Sequence, residues 1–254
     1  MIDIHMFPCL QDNYGFLLHC RETGCTATID TPEVASIEAA LEERAWTLTH
    51  ILNTHHHFDH AGGNEELKAR HGVTVVGPGA DEARIPGIDV GVGQDDVYKV
   101  GNIELQVFDV PGHTSGHIAF YAPAANAAFV GDTIFALGCG RLFEGSPEQM
   151  WSSIQKLMAL PDKTEVYCAH EYTQSNARFA LTVDPDNQAL VARAEQIDEA
   201  RQRGEATVPT TMGLEKATNP FLRPMAASLR ATLGMAQAND VEVFAETRTR
   251  KDNF

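Results

Sequence analysis

One loop constrains this chain more than any other feature: residues 54–60, Thr-His-His-His-Phe-Asp-His. Five of its residues carry imidazole or carboxylate groups, which are common metal ligands in proteins. In an extended loop, alternate residues project to the same side, so His55 and His57 could bind one ion. Asp59 and His60 could face a second ion beside the first. The loop has no cysteine, so it suits a catalytic metal site better than a structural zinc finger.

Two plainer interpretations of the loop are a polar surface loop and a histidine run with no site attached. An apolar run at 48–52 comes directly before the loop and predicts a buried strand. Such a histidine spacing after a buried strand favours a functional site over both plainer interpretations. His56 is out of phase with its neighbours, and we expect it to be a spacer or to support a ligand from behind.

The composition excludes several classes of protein. The chain has 254 residues, 43% of them hydrophobic, which suits one large domain or one domain with an appendage. Its net charge of −16 repels nucleic-acid phosphates, so we expect no nucleic-acid partner. Five cysteines without a C-x-x-C pair predict a reducing compartment. Without a secretory signal pattern or a run of ~18 apolar residues, we expect a soluble, cytoplasmic protein with no membrane partner.

Strand and helix patterns alternate over the first ~170 residues, and the remainder is mostly helical. The predicted strands are 2–6, 15–20, 27–29, 48–52, 73–76, one near Val97, 103–110, 118–121, 127–130 and 165–168, and the predicted helices are 32–44, 62–71, 147–159, 174–181, 186–203 and 223–236. Residues 208–211 are expected to be unstructured. Val241 to Phe244 could form a further strand.

Three more polar residues follow predicted strands: His113, Asp132 and His170. Taken singly, they could be a turn residue, a helix cap and a satisfied core histidine respectively. Their joint occurrence after strands favours a site, because strands of one sheet bring their end loops to a common edge.

The seven candidates divide between two ions. One ion would be bound by His55, His57 and His113, and the other by Asp59, His60 and His170. A carboxylate has two oxygens, so Asp132 could bridge the two ions.

These motifs resemble a known family. Residues 54–60, Pro-Gly-His-Thr, Gly-Asp-Thr and Cys-Ala-His-Glu-Tyr-Thr, in that order, are similar to the metallo-β-lactamase superfamily over residues 1–172. Residues 138–145, 219–223 and 250–254 resemble the hydroxyacylglutathione hydrolases, or glyoxalase II enzymes. The resemblance implies an α/β fold, an αββα four-layer sandwich with a smaller C-terminal helical domain. It places a catalytic domain at 1–172 and an α-helical substrate-binding domain at 173–254.

The resemblance also implies an activity, the hydrolysis of S-D-lactoylglutathione and related thioesters to D-lactate and glutathione. This is the second step of methylglyoxal detoxification. The implied glutathione contacts are Arg141, Phe143, Tyr172, Arg248 and Lys251. Family members with Lys and Tyr in the glycine-rich loop differ from this chain, which has Arg141 and Phe143. Arg141 keeps the charge, whereas Phe143 has no hydroxyl to donate.

We expect two divalent metal ions, zinc first, with iron or manganese as alternatives. They would supply a bridging hydroxide that attacks the thioester, with His57 and Asp59 as catalytic residues. Asp30 could support a ligand histidine or cap the helix that follows it, and His117 is expected to be structural. The expected partner is a small glutathione thioester, and the chain is expected to be a monomer. The alternative on the same fold is a persulfide dioxygenase with one iron.

Overall fold

The computed structural model describes all 254 residues, which divide into two compact units. The first unit comprises Met1–Asp109 and Ser115–Gly131, and the second comprises Val110–Thr114 and Asp132–Phe254. The second unit therefore contains His113, Asp132 and His170 as well as the helical C-terminal region.

The first unit contains ten strands and three helices. The strands are β1 (Ile2–Cys9), β2 (Asn13–Cys20), β3 (Thr26–Ile29), β4 (His50–Leu52), β5 (Thr74–Pro78), β6 (Val90–Val92), β7 (Val97–Val100), β8 (Ile103–Asp109), β9 (Ile118–Ala122) and β10 (Ala127–Gly131). The helices are α1 (Val34–Arg44), α2 (Phe58–Ala61) and α3 (Asn64–His71). One sheet runs from β1 to β6 in sequence order, and the other strands of the unit follow the order β10-β9-β8-β7.

The direction of pairing explains where the histidine loop begins. β1, β2 and β3 pair antiparallel, whereas β3, β4, β5 and β6 pair parallel. Parallel strands are buried on both faces, and Ile51 is fully buried in one cluster with Leu17 and Val75. Ile29 of β3 pairs with Leu52 of β4, so the residues after both strands emerge at one edge.

The second unit contains four short strands and six helices. The strands are β11 (Ile134–Phe135), β12 (Gly138–Cys139), β13 (Glu165–Cys168) and β14 (Thr210–Thr211). The helices are α4 (Pro147–Met158), α5 (Thr173–Val183), α6 (Gln188–Gln202), α7 (Met212–Thr218), α8 (Ala227–Leu233) and α9 (Asp240–Asp252). Within this unit, β11 pairs antiparallel with β12 and β13 with β14. None of the helices of the chain is both long and apolar enough to span a membrane.

The predicted strand at Val241 to Phe244 is wrong, because these residues lie in α9. Their alternation of apolar and polar residues is typical of a strand, but a capping box starts a helix just before them. The Asn239 side chain accepts a hydrogen bond from the backbone of Glu242, and the Glu242 carboxylate accepts one from the backbone of Asn239.

Other predictions differ from the structure in extent. The helix predicted at 62–71 is α3, which begins at Asn64, and Gly62 and Gly63 separate it from α2, a short helix within the expected histidine loop. The helix predicted at 223–236 is limited to α8. Residues 208–211 are not wholly irregular, since Thr210 and Thr211 pair with the start of β13.

Candidate metal centre

In the first unit, the histidine loop brings four candidate metal-binding atoms into two close pairs. His55 Nε2 and His57 Nδ1 lie 3.1 Å apart, and Asp59 Oδ2 and His60 Nε2 lie 3.6 Å apart. Two ligands on one tetrahedral zinc ion, with bonds of ~2.05 Å, lie about 3.3 Å from each other. The spacing within each pair therefore fits a shared metal ion.

Asp30 supports this loop from behind. Its carboxylate accepts hydrogen bonds from His60 Nδ1 (2.7 Å), from the Thr54 backbone N–H (2.7 Å) and from the Thr54 hydroxyl (2.8 Å). The proton of His60 is thus held on Nδ1, so the lone pair that could bind a metal ion lies on Nε2. Asp30 does not cap α1, whose N-cap residue is Glu33. Of the two predicted roles, the structure therefore favours support of a ligand histidine.

Other side chains hold the loop from the sides. His56 Nδ1 lies 3.1 Å from Asp81 Oδ2, a contact that fits either of its expected roles, a spacer or a support for a neighbouring ligand. The His117 ring packs against the His55 ring, with a centroid distance of 4.6 Å. Asn13 Nδ2 donates to Asp59 Oδ2 at 3.1 Å. The sequence showed no signal for the Asn13 contact, because it joins residues 46 positions apart.

In the second unit, the Asp132 carboxylate lies between two imidazoles. Its Oδ2 is 3.3 Å from His113 Nε2 and its Oδ1 is 3.5 Å from His170 Nε2. All three side chains are buried. His113 donates from Nδ1 to the carbonyl of Arg141 (2.9 Å), because a carbonyl can only accept. A carboxylate whose two oxygens face different imidazoles has the arrangement that a bridging ligand needs.

Three predicted substrate residues belong to the same unit as this cluster. The Tyr172 ring stacks on the His170 ring at 4.7 Å, with an angle of 2° between the planes. The Phe143 ring lies 5.2 Å from the His113 ring and is 61% exposed. Arg141 is exposed. The second unit therefore places two aromatic rings beside the imidazoles, and the backbone of Arg141 bonds to one of these imidazoles.

The two cations of the C-terminal helix have different surroundings. Arg248 is only 5% exposed, and its Nη1 donates to the carbonyl of Cys139 at 2.8 Å. Lys251 is half-buried over the rings of Phe179 and Phe254 and lies 3.3 Å from the Ser175 hydroxyl. Burial lowers the pKa of Lys251, as do the charges of Arg248 and Arg141. The basic end of the chain is thus an ordered helix, in which Lys251 is the more accessible cation.

The donor set fits a divalent metal. It consists of imidazole and carboxylate groups, which suit zinc, iron and manganese alike, and it contains no thiolate. The ligand-atom distances of 3.1 to 3.6 Å in both units match the spacing around one ion. The residues of each unit therefore fit metal binding by chemistry and by spacing.

Comparison with known proteins identifies the family. A family model described as "Metallo-beta-lactamase superfamily" matches residues 22–170, and one described as "Hydroxyacylglutathione hydrolase C-terminus" matches residues 171–254. The chain is 56% identical over 251 residues to the hydroxyacylglutathione hydrolase of Maricaulis maris (strain MCS10). The matched residues cover 99% of this chain and 98% of that relative.

Solved structures share the fold at lower identity. ETHE1 from Myxococcus xanthus matches with a TM-score of 0.70 and 25% identity over 98% of this chain and 90% of its own. TTHA1623 in a di-iron-bound form matches with a TM-score of 0.60 and 26% identity over 87% of this chain and 100% of its own. The predicted metallo-β-lactamase fold with a helical C-terminal region is confirmed. The chain belongs to the hydroxyacylglutathione hydrolases, a family of hydrolytic enzymes within the metallo-β-lactamase superfamily.

Proposed function

We propose that this enzyme hydrolyses S-D-lactoylglutathione, and related S-2-hydroxyacylglutathiones, to the free 2-hydroxy acid and glutathione. The observation that carries the proposal is the Asp132 carboxylate, whose two oxygens face the imidazoles of His113 and His170. The similarity to relatives named hydroxyacylglutathione hydrolase, over nearly the full length of the chain, supports this class of substrate. This reaction is the second step of methylglyoxal detoxification.

The proposed metal centre has two ions and seven ligands. One ion would be held by His55, His57 and His113 and the other by Asp59, His60 and His170, with Asp132 contributing to both. The spacing of His55 with His57, and of Asp59 with His60, within the first unit supports the division. The di-iron-bound form of TTHA1623 supports a pair of ions on this fold. We propose zinc as the native metal, with iron or manganese as alternatives.

The chain contributes positioning and charge to the reaction. When bound, two divalent ions supply hydroxide at neutral pH and stabilise negative charge on the thioester oxygen. Asp59, which is held by Asn13, orients the nucleophile and accepts its proton. His57 holds its place beside His55 as a ligand. The leaving thiolate has a pKa near ~8.5 in water, so no strong general acid is required.

The glutathione moiety is bound by charge and by aromatic rings. Arg141 and Lys251 supply cations for its two carboxylates, and Tyr172 and Phe143 pack against it. Arg248 acts through the loop that it holds as well as through its charge. A chain with a net charge of −16 needs such a local basic group to bind an anionic substrate.

We propose that residues 1–172 form the catalytic domain and residues 173–254 the α-helical substrate-binding domain. The two family models meet within two residues of this boundary, which supports it. We also propose a cytoplasmic monomer that binds neither membranes nor nucleic acid. The five cysteines are free thiols, as a reducing compartment requires, and the acidic charge opposes nucleic-acid binding.

The direct test is the loss of thioester absorbance with S-D-lactoylglutathione, run with a metal count and an oxygen electrode. His57→Ala and Asp132→Ala should lose both bound metal and thioesterase activity. Asp89→Asn, at a carboxylate that pairs with Lys68 on the first unit, should keep both. Full activity and full metal content in both alanine variants would contradict the proposed site. Oxygen consumption with a persulfide, without thioester hydrolysis, would instead indicate a dioxygenase.

A further inference from the structure

The loop 135–141, which includes β11 and β12, is held by side chains along most of its backbone. The bonds are Phe135 O and Gly138 O with Asn219 Nδ2 (3.2 and 3.0 Å), Ala136 O with Asn176 Nδ2 (3.1 Å), Leu137 N with Glu215 Oε2 (2.9 Å), Cys139 O with Arg248 Nη1 (2.8 Å) and Arg141 O with His113 Nδ1 (2.9 Å). All but the last come from the C-terminal helical region. The last comes from a proposed metal ligand.

The loop needs this external support for two reasons. Its residues 135–140 are buried, so their backbone groups must find partners within the protein. Leu137 also has a φ of +59°, which is unfavourable for a residue with a side chain. The space is tight as well, since a Cβ on Gly140 would lie 1.9 Å from the carbonyl oxygen of Asp132. The loop conformation therefore depends on the helices around it.

Glu215 joins the helices to the loop. Its side chain is fully buried, and both of its oxygens have two partners. Oε1 accepts from the guanidinium of Arg193 and from the Thr210 hydroxyl. Oε2 accepts from the Leu137 backbone N–H and from Asn219 Nδ2, both at 2.9 Å. Oε1 thus binds only the helical region, whereas Oε2 binds both the loop and Asn219.

We propose that Glu215 and Asn219 are positioning residues for the metal ligand His113. They fix the loop, and the loop presents the carbonyl of Arg141 to His113 Nδ1. That bond keeps the proton on Nδ1 and directs Nε2 toward Asp132. The C-terminal helical region therefore acts on the metal through the backbone of residues 135–141, without contacting it. The inference rests on the proposed metal site.

Glu215→Gln tests this link with little change of shape. A glutamine has one acceptor oxygen, whereas both carboxylate oxygens of Glu215 accept bonds. An amide NH₂ turned toward the buried cation of Arg193 would cost more than one turned toward the Leu137 N–H. The glutamine oxygen should therefore stay with Arg193, and the bond to the loop is lost.

Asn219→Ser is an independent second variant. Asn219 also caps the turn at 220–222, because its Oδ1 accepts from the Phe221 N–H. A serine hydroxyl can keep this cap, but it is too short to reach the loop carbonyls. The variant therefore removes the contacts to Phe135 and Gly138 and retains the local structure.

Asp184→Asn is the matched control. Asp184 is a fully buried carboxylate of the same unit, and it accepts from the Ser228 hydroxyl (2.6 Å) and from Asn187 Nδ2 (3.0 Å). A guanidinium, that of Arg223, lies 3.4 Å away. None of these partners is in the loop. The control therefore weakens a comparable buried network elsewhere in the unit.

Two measurements are made on each folded protein: hydrogen exchange of a peptide covering 133–141 in the metal-free state, and zinc affinity by chelator competition. Glu215→Gln and Asn219→Ser should speed exchange of the loop and weaken zinc binding by ~10-fold or more. Asp184→Asn should change neither, although its melting temperature falls.

Unchanged exchange and zinc affinity in Asn219→Ser and Glu215→Gln, or the same changes in Asp184→Asn, would overturn the inference. Should Glu215→Gln fail to fold, Asn219→Ser decides alone. Neither measurement uses a substrate. A wild-type protein that binds no zinc, iron or manganese would contradict the proposed metal site, whereas the exchange data would still test the positioning of the loop.

Discussion

Asp30→Ala should be among the most destabilising single substitutions near the metal centre. The change removes the acceptor of three donors, the His60 Nδ1–H and the N–H and hydroxyl of Thr54, all of them on buried residues. A buried donor left without a partner costs about 1–3 kcal/mol. Asp30 also has a φ of +58°, a conformation that aspartate tolerates better than alanine, at a difference of roughly 1 kcal/mol.

The expected loss for Asp30→Ala is therefore about 4 kcal/mol or more of the free energy of unfolding. Asp30→Asn should lose less, about 1–2 kcal/mol, because asparagine tolerates the backbone conformation and keeps one acceptor. The losses are measured by urea unfolding of metal-free protein, so that bound metal does not add to the stability. With metal restored, both variants should bind zinc ~10- to 100-fold more weakly.

Asp89→Asn serves as the control for Asp30. Asp89 accepts from the Val75 N–H at 2.9 Å and pairs with Lys68, but it is partly exposed. Its loss should stay near ~1 kcal/mol. If Asp30→Ala were no more destabilising than Asp89→Asn, and zinc affinity were unchanged, the assignment of Asp30 as the support of His60 would be refuted.

Three further outcomes concern the substrate side. Arg248→Met should both lower the melting temperature and raise KM, because the buried guanidinium holds the Cys139 carbonyl. Thermal unfolding measures the first effect, and steady-state kinetics measures the second. Lys251 has a pKa below that of an ordinary lysine, so it loses its charge, and KM should rise, as the pH increases through that lowered pKa. In Lys251→Arg this rise in KM should vanish, because arginine stays charged. Phe143→Ala should raise KM with little change in melting temperature, since the ring is 61% exposed, and an unchanged KM would remove Phe143 from the substrate site.

The sequence predicted the local parts of the structure well. The histidine loop, His113, Asp132 and His170 all follow strands, and the apolar pattern of a strand is a local signal in the sequence. The start of α4 was also predictable, because Ser146 and Pro147 form its cap and first position. Each of these features depends on residues within a few positions of one another.

Contacts between distant residues could not be predicted in the same way. Glu215 bonds to Leu137 across 78 positions, and Arg248 bonds to Cys139 across 109 positions. A glutamate on a helix and an arginine near a chain end are typical surface residues, and no spacing in the sequence indicates that they bond to a buried backbone. Val241 to Phe244 shows the opposite error, in which a local pattern is overruled by a helix cap.

In the proposed reaction, two metal ions act together in thioester hydrolysis. The most direct measurement is a titration of metal-free enzyme with zinc, in which the rate of S-D-lactoylglutathione hydrolysis is followed at each addition. Activity should rise until two equivalents of zinc per chain are bound, and Asp132→Ala should reach neither that stoichiometry nor that rate. Full activity at one equivalent, or activity that does not depend on added metal, would contradict it.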